Sequence, residues 1–255
     1  MYHFFVDENS ILGDEIIITG SDYNHAVNVL RLKNGERIMV SDESGTDYYC
    51  TVGDPDGNEL RVHIEEKSEE NHELPARVVL YQSLPKSDKM ELIIQKATEL
   101  GVTDIVPVES RNCIMKLEPK KVASKIARWQ SIAEAAAKQS KRSVIPAVHD
   151  PMTFVEAVKR AEEESSVRII PYEDERGMTG MCEAIISFLP GSDIAVFVGP
   201  EGGYDKIEIR HAMNHGIKPV SLGKRILRAE TAAISILSLI MIRLEIALEN
   251  GLKEE

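Results

Sequence analysis

IAVFVGPEGG (residues 194–203) is a strand-like apolar run that stops in a glycine-rich turn, and its neighbours repeat that grammar. Residues 167–171 form a similar run before the loop Pro171, Tyr172, Glu173, and residues 219–222 another before GKRILR (223–228). Further out, 77–84 and 104–108 read as strands. A helix over 88–100 carries Ile93, Ala97 and Leu100 at helical spacing, with Gly101 where a helix-ending glycine belongs. A longer helix from about 119 to 140 places Val122, Ile126, Trp129, Ala133 and Ala136 on one face. Strands alternating with helices predict an α/β domain with a mainly parallel sheet. Ligands of such sheets sit beyond the carboxyl ends of strands, so the three post-strand loops could line one pocket.

The first 70 residues read differently. Short runs at 15–19, 36–41, 46–52 and 59–65 are separated by glycine-containing turns, and one helix from 21 or 22 to about 30 interrupts them. This spacing predicts a small β-barrel. The polar stretch 67–74, ending at Pro75, is the linker candidate, so the expected domains are 1–72 and 73–255.

Charge looks at first like an argument against nucleic acid. Forty-two acids against 30 bases give a net charge of −12, and phosphate binding depends on Lys and Arg. The total hides a distribution, however. Residues 1–73 hold 5 bases and 17 acids, whereas 111–142 hold nine bases against Glu118 and Glu134. That basic stretch is either a solvated helix face or a phosphate-binding one.

Three scattered cysteines without a CxxC pair fit a reducing cytosol. The start lacks a signal-peptide pattern, and the longest apolar run, 232–242, is shorter than the ~20 residues of a membrane span. A soluble cytoplasmic protein is expected. GPEGG matches neither G-x-G-x-x-G nor the P-loop pattern, and Glu201 would repel a pyrophosphate. That leaves a ligand without phosphates or with a cationic group, or simply a tight turn. The apolar helix 231–248 should be buried in the core or against another subunit. Glu230 and Thr231 stand at its start, where capping is one reading. His211 and His215 have the spacing of a zinc pair but no third ligand nearby, so no metal is expected.

FVGPEGG (197–203) followed by LGKRILRAETA (222–232) resembles the paired signature of the RsmE family of SPOUT methyltransferases. The resemblance extends in order through HAVNVLR (25–31), QKATELG (95–101), ESR (109–111) and RWQSIAEAAAKQSKR (128–142). It implies a PUA-like β-barrel followed by a trefoil-knotted α/β methyltransferase domain, a threading that alternation alone does not suggest. It also implies a homodimer that methylates N3 of a uridine in 16S ribosomal RNA, within a small-subunit particle, using S-adenosylmethionine. The nearest alternatives are another SPOUT reaction, at ribose 2′-O or guanine N1, and a non-catalytic RNA-binding assembly factor.

The residues follow from that likeness. Cofactor binding falls to Pro171, Tyr172 and Glu173, to Val198, Gly199, Pro200, Glu201, Gly202 and Gly203, and to Leu222, Gly223, Ile226, Leu227, Thr231 and Ala232. Arg228, then Arg111, are the candidate catalytic cations, since N3 attacks after losing its proton and a cation near O2 or O4 steadies the anion. Glu201 is either the base or a complement to the sulfonium charge, and Glu230 either fixes Arg228 or caps its helix. RNA binding falls to Lys121, Lys125 and Arg128, with Arg31 from the barrel, while Glu134, Gln139 and Arg142 contact RNA or order the site.

Overall fold

In the computed structural model every residue is described except Glu43, Glu69, Asn71, Ser87 and residues 253–255. Two residues of the expected linker, Glu69 and Asn71, therefore lie outside the described residues. The chain divides into two compact units, Met1–Glu73 with Ala137–Val144, and Leu74–Ala136 with Ile145–Glu255.

The first unit holds β1 (Tyr2–Val6), β2 (Ile11–Leu12), β3 (Glu15–Ile18), α1 (Gly20–Asn24), β4 (Arg37–Asp42), β5 (Asp47–Asp56) and β6 (Glu59–Lys67). They form a six-stranded sheet ordered β1-β4-β5-β6-β3-β2, antiparallel except for the β1–β4 pair. Every second residue points inward: Ile16 and Ile18, Ile38 and Val40, Cys50 and Val52, Leu60 and Val62 are buried with Phe4 in one core. The strand of Phe4 was not anticipated. The single helix expected from 21 or 22 to 30 is instead α1 followed by a wider π-type turn, His25–Val29. It ends at Arg31, whose φ is 55°.

Ala137–Val144, which the sequence placed with the second domain, packs with this unit. Ser143 Oγ donates to Asp47 (2.8 Å), and Ser41 donates to the same carboxylate. Ser41 Oγ therefore accepts from His3 Nε2 at 2.6 Å. Polarity here is the reverse of a nucleophile relay, where serine donates to histidine, and the chain is buried. Burial, partly offset by Asp47, pulls the His3 pKa down to about 4. The neutral ring is thus favoured on folding, so stability present above the unfolded value near 6.5 is lost as pH falls toward 4. That loss is about 3 kcal/mol. His3→Gln should remove most of it, and urea unfolding at pH 7 and pH 4 reads the difference. An unchanged pH dependence in the variant would contradict the assignment.

The second unit runs β7 (Arg77–Ser83), α2 (Lys89–Glu99), β8 (Asp104–Glu109), α3 (Val122–Ser140), β9 (Ala147–Val148), β10 (Met152–Thr153), α4 (Phe154–Glu164), β11 (Val167–Pro171), α5 (Thr179–Ser187), β12 (Asp193–Val198), α6 (Lys206–Asn214), β13 (Lys218–Val220) and α7 (Ala229–Glu249). The end of α3 belongs to the first unit. All pairings are parallel, in the order β10-β8-β7-β12-β11-β13, with β9 beside β8. The apolar run of β12 now has its reason. Ile194, Val196 and Val198 face a core shared with α2, α3, α5 and α7, while Ala195 and Phe197 face another shared with α4 and α6.

This is the expected α/β domain. From the edge strand β13 the chain returns to the face that carries α5, where α7 packs against α2 and β12. α7 thus packs on the same face as the β11–α5–β12 connection, as the SPOUT-type fold implied by the family resemblance requires.

By length and composition α7 could cross a membrane. Ala233, Ile236, Leu237, Ile240, Leu244 and Ala247 are nonetheless buried within this unit, while Ile242, Ile246 and Leu248 are exposed.

Candidate active site

Strand order decides which loops meet. β11 lies between β12 and β13, so the loops after all three emerge side by side from the carboxyl edge of the sheet. Tyr172 N–H donates to Val220 O at 3.0 Å, joining the first loop to the third. Gly203 joins the first to the second. Its φ is +64°, and a Cβ there would lie 2.5 Å from a carboxylate oxygen of Glu173. Glycine allows both the left-handed backbone and the close approach. Gly203 N–H closes the turn onto Pro200 O at 2.9 Å.

Asn112, which the sequence reading passed over beside Arg111, holds the turn from outside. Its amide donates to the carbonyls of Gly202 and Gly203, both at 3.1 Å.

A fourth post-strand segment, also missed, completes the arrangement. β7 pairs with β12, and at the start of α2 the Lys89 ammonium bridges Glu201 (3.0 Å) and Glu230 (3.2 Å). Lys86 N–H donates to both Glu201 oxygens, at 3.1 and 3.2 Å. Burial would raise the Glu201 pKa. Its own backbone N–H, Lys89 and Lys86 outweigh that and hold it below the usual carboxylate range. A carboxylate so engaged is ionised and a weak base, which favours the charge-complement role over the base. Lys89 is shifted up, chiefly by its hydrogen bonds to Glu201 and Glu230. Glu230, in the first turn of α7, pairs with Lys89 and not with Arg228, the first of its two expected roles. The signal for Lys89 was its place just after a strand and an N-cap aspartate, but nothing local names Glu201 and Glu230 as its partners.

Arg228 is the N-cap residue of α7; its backbone carbonyl accepts Ala232 N–H at 2.8 Å. Its side chain is exposed, as are Lys224, Arg225 and Thr231. Ile226 is 89% exposed, whereas Leu222 and Ala232 pack against the core. Leu227 is half-buried. Gly223 has φ +105°, with open space where a Cβ would stand. Arg111 follows β8 and meets the start of α6: its N–H donates to Glu208 at 2.9 Å and its guanidinium is 3.8 Å from Asp205.

The basic segment is only partly a surface. Lys121 pairs with Glu118 (3.0 Å) and Arg128 with Glu91 (2.8 Å), both cations being exposed; Lys125 and Glu134 are half-buried. In the first unit Gln139 and Arg31 are exposed. Arg142, expected to contact RNA, is instead buried: its side chain is 3% exposed and its Nε donates to Glu73 at 3.0 Å. Lys138 is likewise paired, with Asp22 at 3.0 Å. His215 faces Glu162 at 3.2 Å. Among the described residues no group of three His, Cys, Asp or Glu is placed to hold a metal ion.

Residues 72–241 match a family described as an RNA methyltransferase domain, and residues 18–65 one described as an RNA methyltransferase PUA domain. The chain is 35% identical to ribosomal RNA small subunit methyltransferase E of Bacillus subtilis over 232 residues, 90% of each chain. It is 32% identical to the protein of that name from Aquifex aeolicus, covering 94% of this chain and 99% of the other. A crystal structure of ribosomal RNA small subunit methyltransferase E from Neisseria gonorrhoeae, bound to S-adenosyl methionine, superposes with a TM-score of 0.83. It is 31% identical, and the match covers 95% of this chain and 97% of that one.

Proposed function

The chain belongs to the RsmE family of ribosomal RNA small subunit methyltransferases, and from that footing we propose that it methylates N3 of one uridine in 16S ribosomal RNA with S-adenosylmethionine. One observation carries the reading: three post-strand loops, two of them glycine-containing, converge at the sheet edge with two carboxylates, Glu173 and Glu201, among them. Such a site suits a cationic ligand and repels a phosphorylated one, and at Gly223, where open space stands in place of a Cβ, the backbone admits close approach.

S-adenosylmethionine, when bound, supplies an electrophilic methyl group. The loops 171–173, 198–203 and 222–232 hold the ligand, with Glu201 and Glu173 complementing positive charge. Lys89 keeps Glu201 ionised and pinned, so the carboxylate is pre-oriented rather than gathered during the reaction. Arg228, with Arg111 as second cation, stabilises the uridine anion left when N3 loses its proton to solvent water. The protein's main contribution is orientation of nucleophile against methyl group.

Lys121, Lys125 and Arg128 serve RNA phosphates, while Arg31 and Gln139 mark the RNA-facing side of the first unit, which guides the substrate. The exposed Ile242, Ile246 and Leu248 of α7 support a homodimer. Cytoplasmic location and a small-subunit particle as substrate follow from the same reading.

The test is mass spectrometry of RNA from small-subunit particles of a strain lacking this gene, before and after the particles are incubated with the protein and S-adenosylmethionine. Restoration of an N3-methyluridine is expected. A methyl at ribose 2′-O or guanine N1, or none at all, would overturn the assignment.

A further inference from the structure

The segment 109–116 has two sides. Through Asn112 it holds the carbonyls of Gly202 and Gly203. Beside it lies a cleft of about 460 Å³, walled by the starts of α4 and α6 and lined among others by Arg111, Met115, Lys116, Phe154, Ile207 and His211. Of the residues given roles above only Arg111 borders this space, and its volume is within the ~300–1,000 Å³ typical of small-ligand sites.

The lining is of two kinds. Ile207 and Val155 are 56% and 59% exposed at the first turns of α6 and α4, and with Met115 they offer flat aliphatic surface. Arg111 and Lys116 offer cations; Arg111 is held only loosely, 3.8 Å from Asp205, and Lys116 is exposed. His211 also lines the cleft, its Nε2 buried without a hydrogen-bond partner among the described residues. Two acids also line the cleft. Glu208 is saturated by Arg111 N–H (2.9 Å) and Asp205 N–H (3.0 Å), and Glu109 is exposed. Both helices are closed by capping boxes, so an anion would be held by side chains and not by free helix N–H groups.

Apolar walls beside cations describe a site for an unstacked nucleotide: a base covers aliphatic surface while its phosphate meets Arg and Lys. We propose that this cleft takes a single ribonucleotide of the RNA substrate, its base against Met115 and Ile207 and its phosphate on Lys116, while Arg111 keeps the anion-stabilising role given above. The proposal rests on the RNA methyltransferase reading. It makes 109–116 a partition with the cofactor turn on one side and a substrate nucleotide on the other.

The test uses the full chain with Lys116→Ala and Ile207→Asp, both at exposed positions, combined in one protein. Methylation kinetics on small-subunit RNA should show KM for RNA raised about tenfold, kcat within twofold, and S-adenosylmethionine affinity by calorimetry unchanged. The slope of log K against log salt should fall by about 1, one phosphate contact. RNA carrying 4-thiouridine should crosslink to peptides containing Met115 or Ile207. Unchanged KM with crosslinks elsewhere overturns the proposal. So does normal methylation of naked RNA with loss only on assembled particles, which would make the cleft a protein contact. Tight binding of uridine monophosphate without any kinetic response to RNA overturns it too, in favour of a free effector. If the wild-type protein itself fails to bind RNA, the methyltransferase reading falls first, and visibly so before any variant is compared.

Discussion

Arg228→Ala should lower kcat for methyl transfer by about 10²–10³ while S-adenosylmethionine affinity stays within about threefold, the range seen when one preorganised donor to a developing anion is removed. Of the three cations in 223–228, Arg228 is the one whose main chain is fixed by α7: it is the N-cap residue, and its carbonyl accepts Ala232 N–H at 2.8 Å. Lys224 and Arg225 precede the helix. A guanidinium on an anchored backbone costs less to orient than one on a loop. Its side chain is exposed and has no ion-pair partner among the described residues, because Glu230 is engaged by Lys89. Single-turnover kinetics with saturating cofactor separates chemistry from binding. A kcat within threefold of wild type would move the anion-stabilising role to Arg111.

Arg142→Ala should destabilise the first unit by about 3 kcal/mol or more, the usual cost of leaving one partner of a buried ion pair alone. Glu73 accepts not only Arg142 but also the N–H groups of Ser143 (3.0 Å) and Val144 (3.2 Å), so it ties the end of the α3 segment to the first unit. Removing the guanidinium strands a carboxylate whose side chain is only 18% exposed. Arg142→Met with Glu73→Gln should recover part of the loss, since both charges are removed while the neutral amide oxygen still accepts the Ser143 and Val144 N–H groups. Urea midpoints of the two variants read this directly. A midpoint near wild type for Arg142→Ala, with RNA affinity down tenfold, would return Arg142 to the RNA surface.

The misassignment of Arg142 has a physical cause. In the sequence it closes a run of nine bases, and a run of charge reads as a surface. Its partner lies 69 residues earlier, in the stretch with 17 acids, and nothing local marks which of those acids will be buried beside it. Lys138 with Asp22, 116 residues apart, is a second instance. The basic excess of 111–142 is thus partly spent on holding the first unit together.

Much of the rest was legible because it is local. Alternating apolar residues at Ile38 and Val40 or Leu60 and Val62 place a strand on one core. The unbroken run of β12 reads as a strand with two buried faces. Gly101, with φ +87° and its N–H on Thr98 O, ends α2 where expected. The glycine turn, the GKRILR loop and the family likeness were all present in the chain as written. Tertiary structure alone decided that β7, β12, β11 and β13 lie side by side, so that Lys89 meets Glu201 and Glu230 and Glu173 meets Gly203. It alone made a cleft beside Arg111 and took Arg142 and His3 into the interior. Period and propensity act over one element's length, while strand order and ion pairing join residues far apart in the chain, through contacts that neither partner's local sequence records.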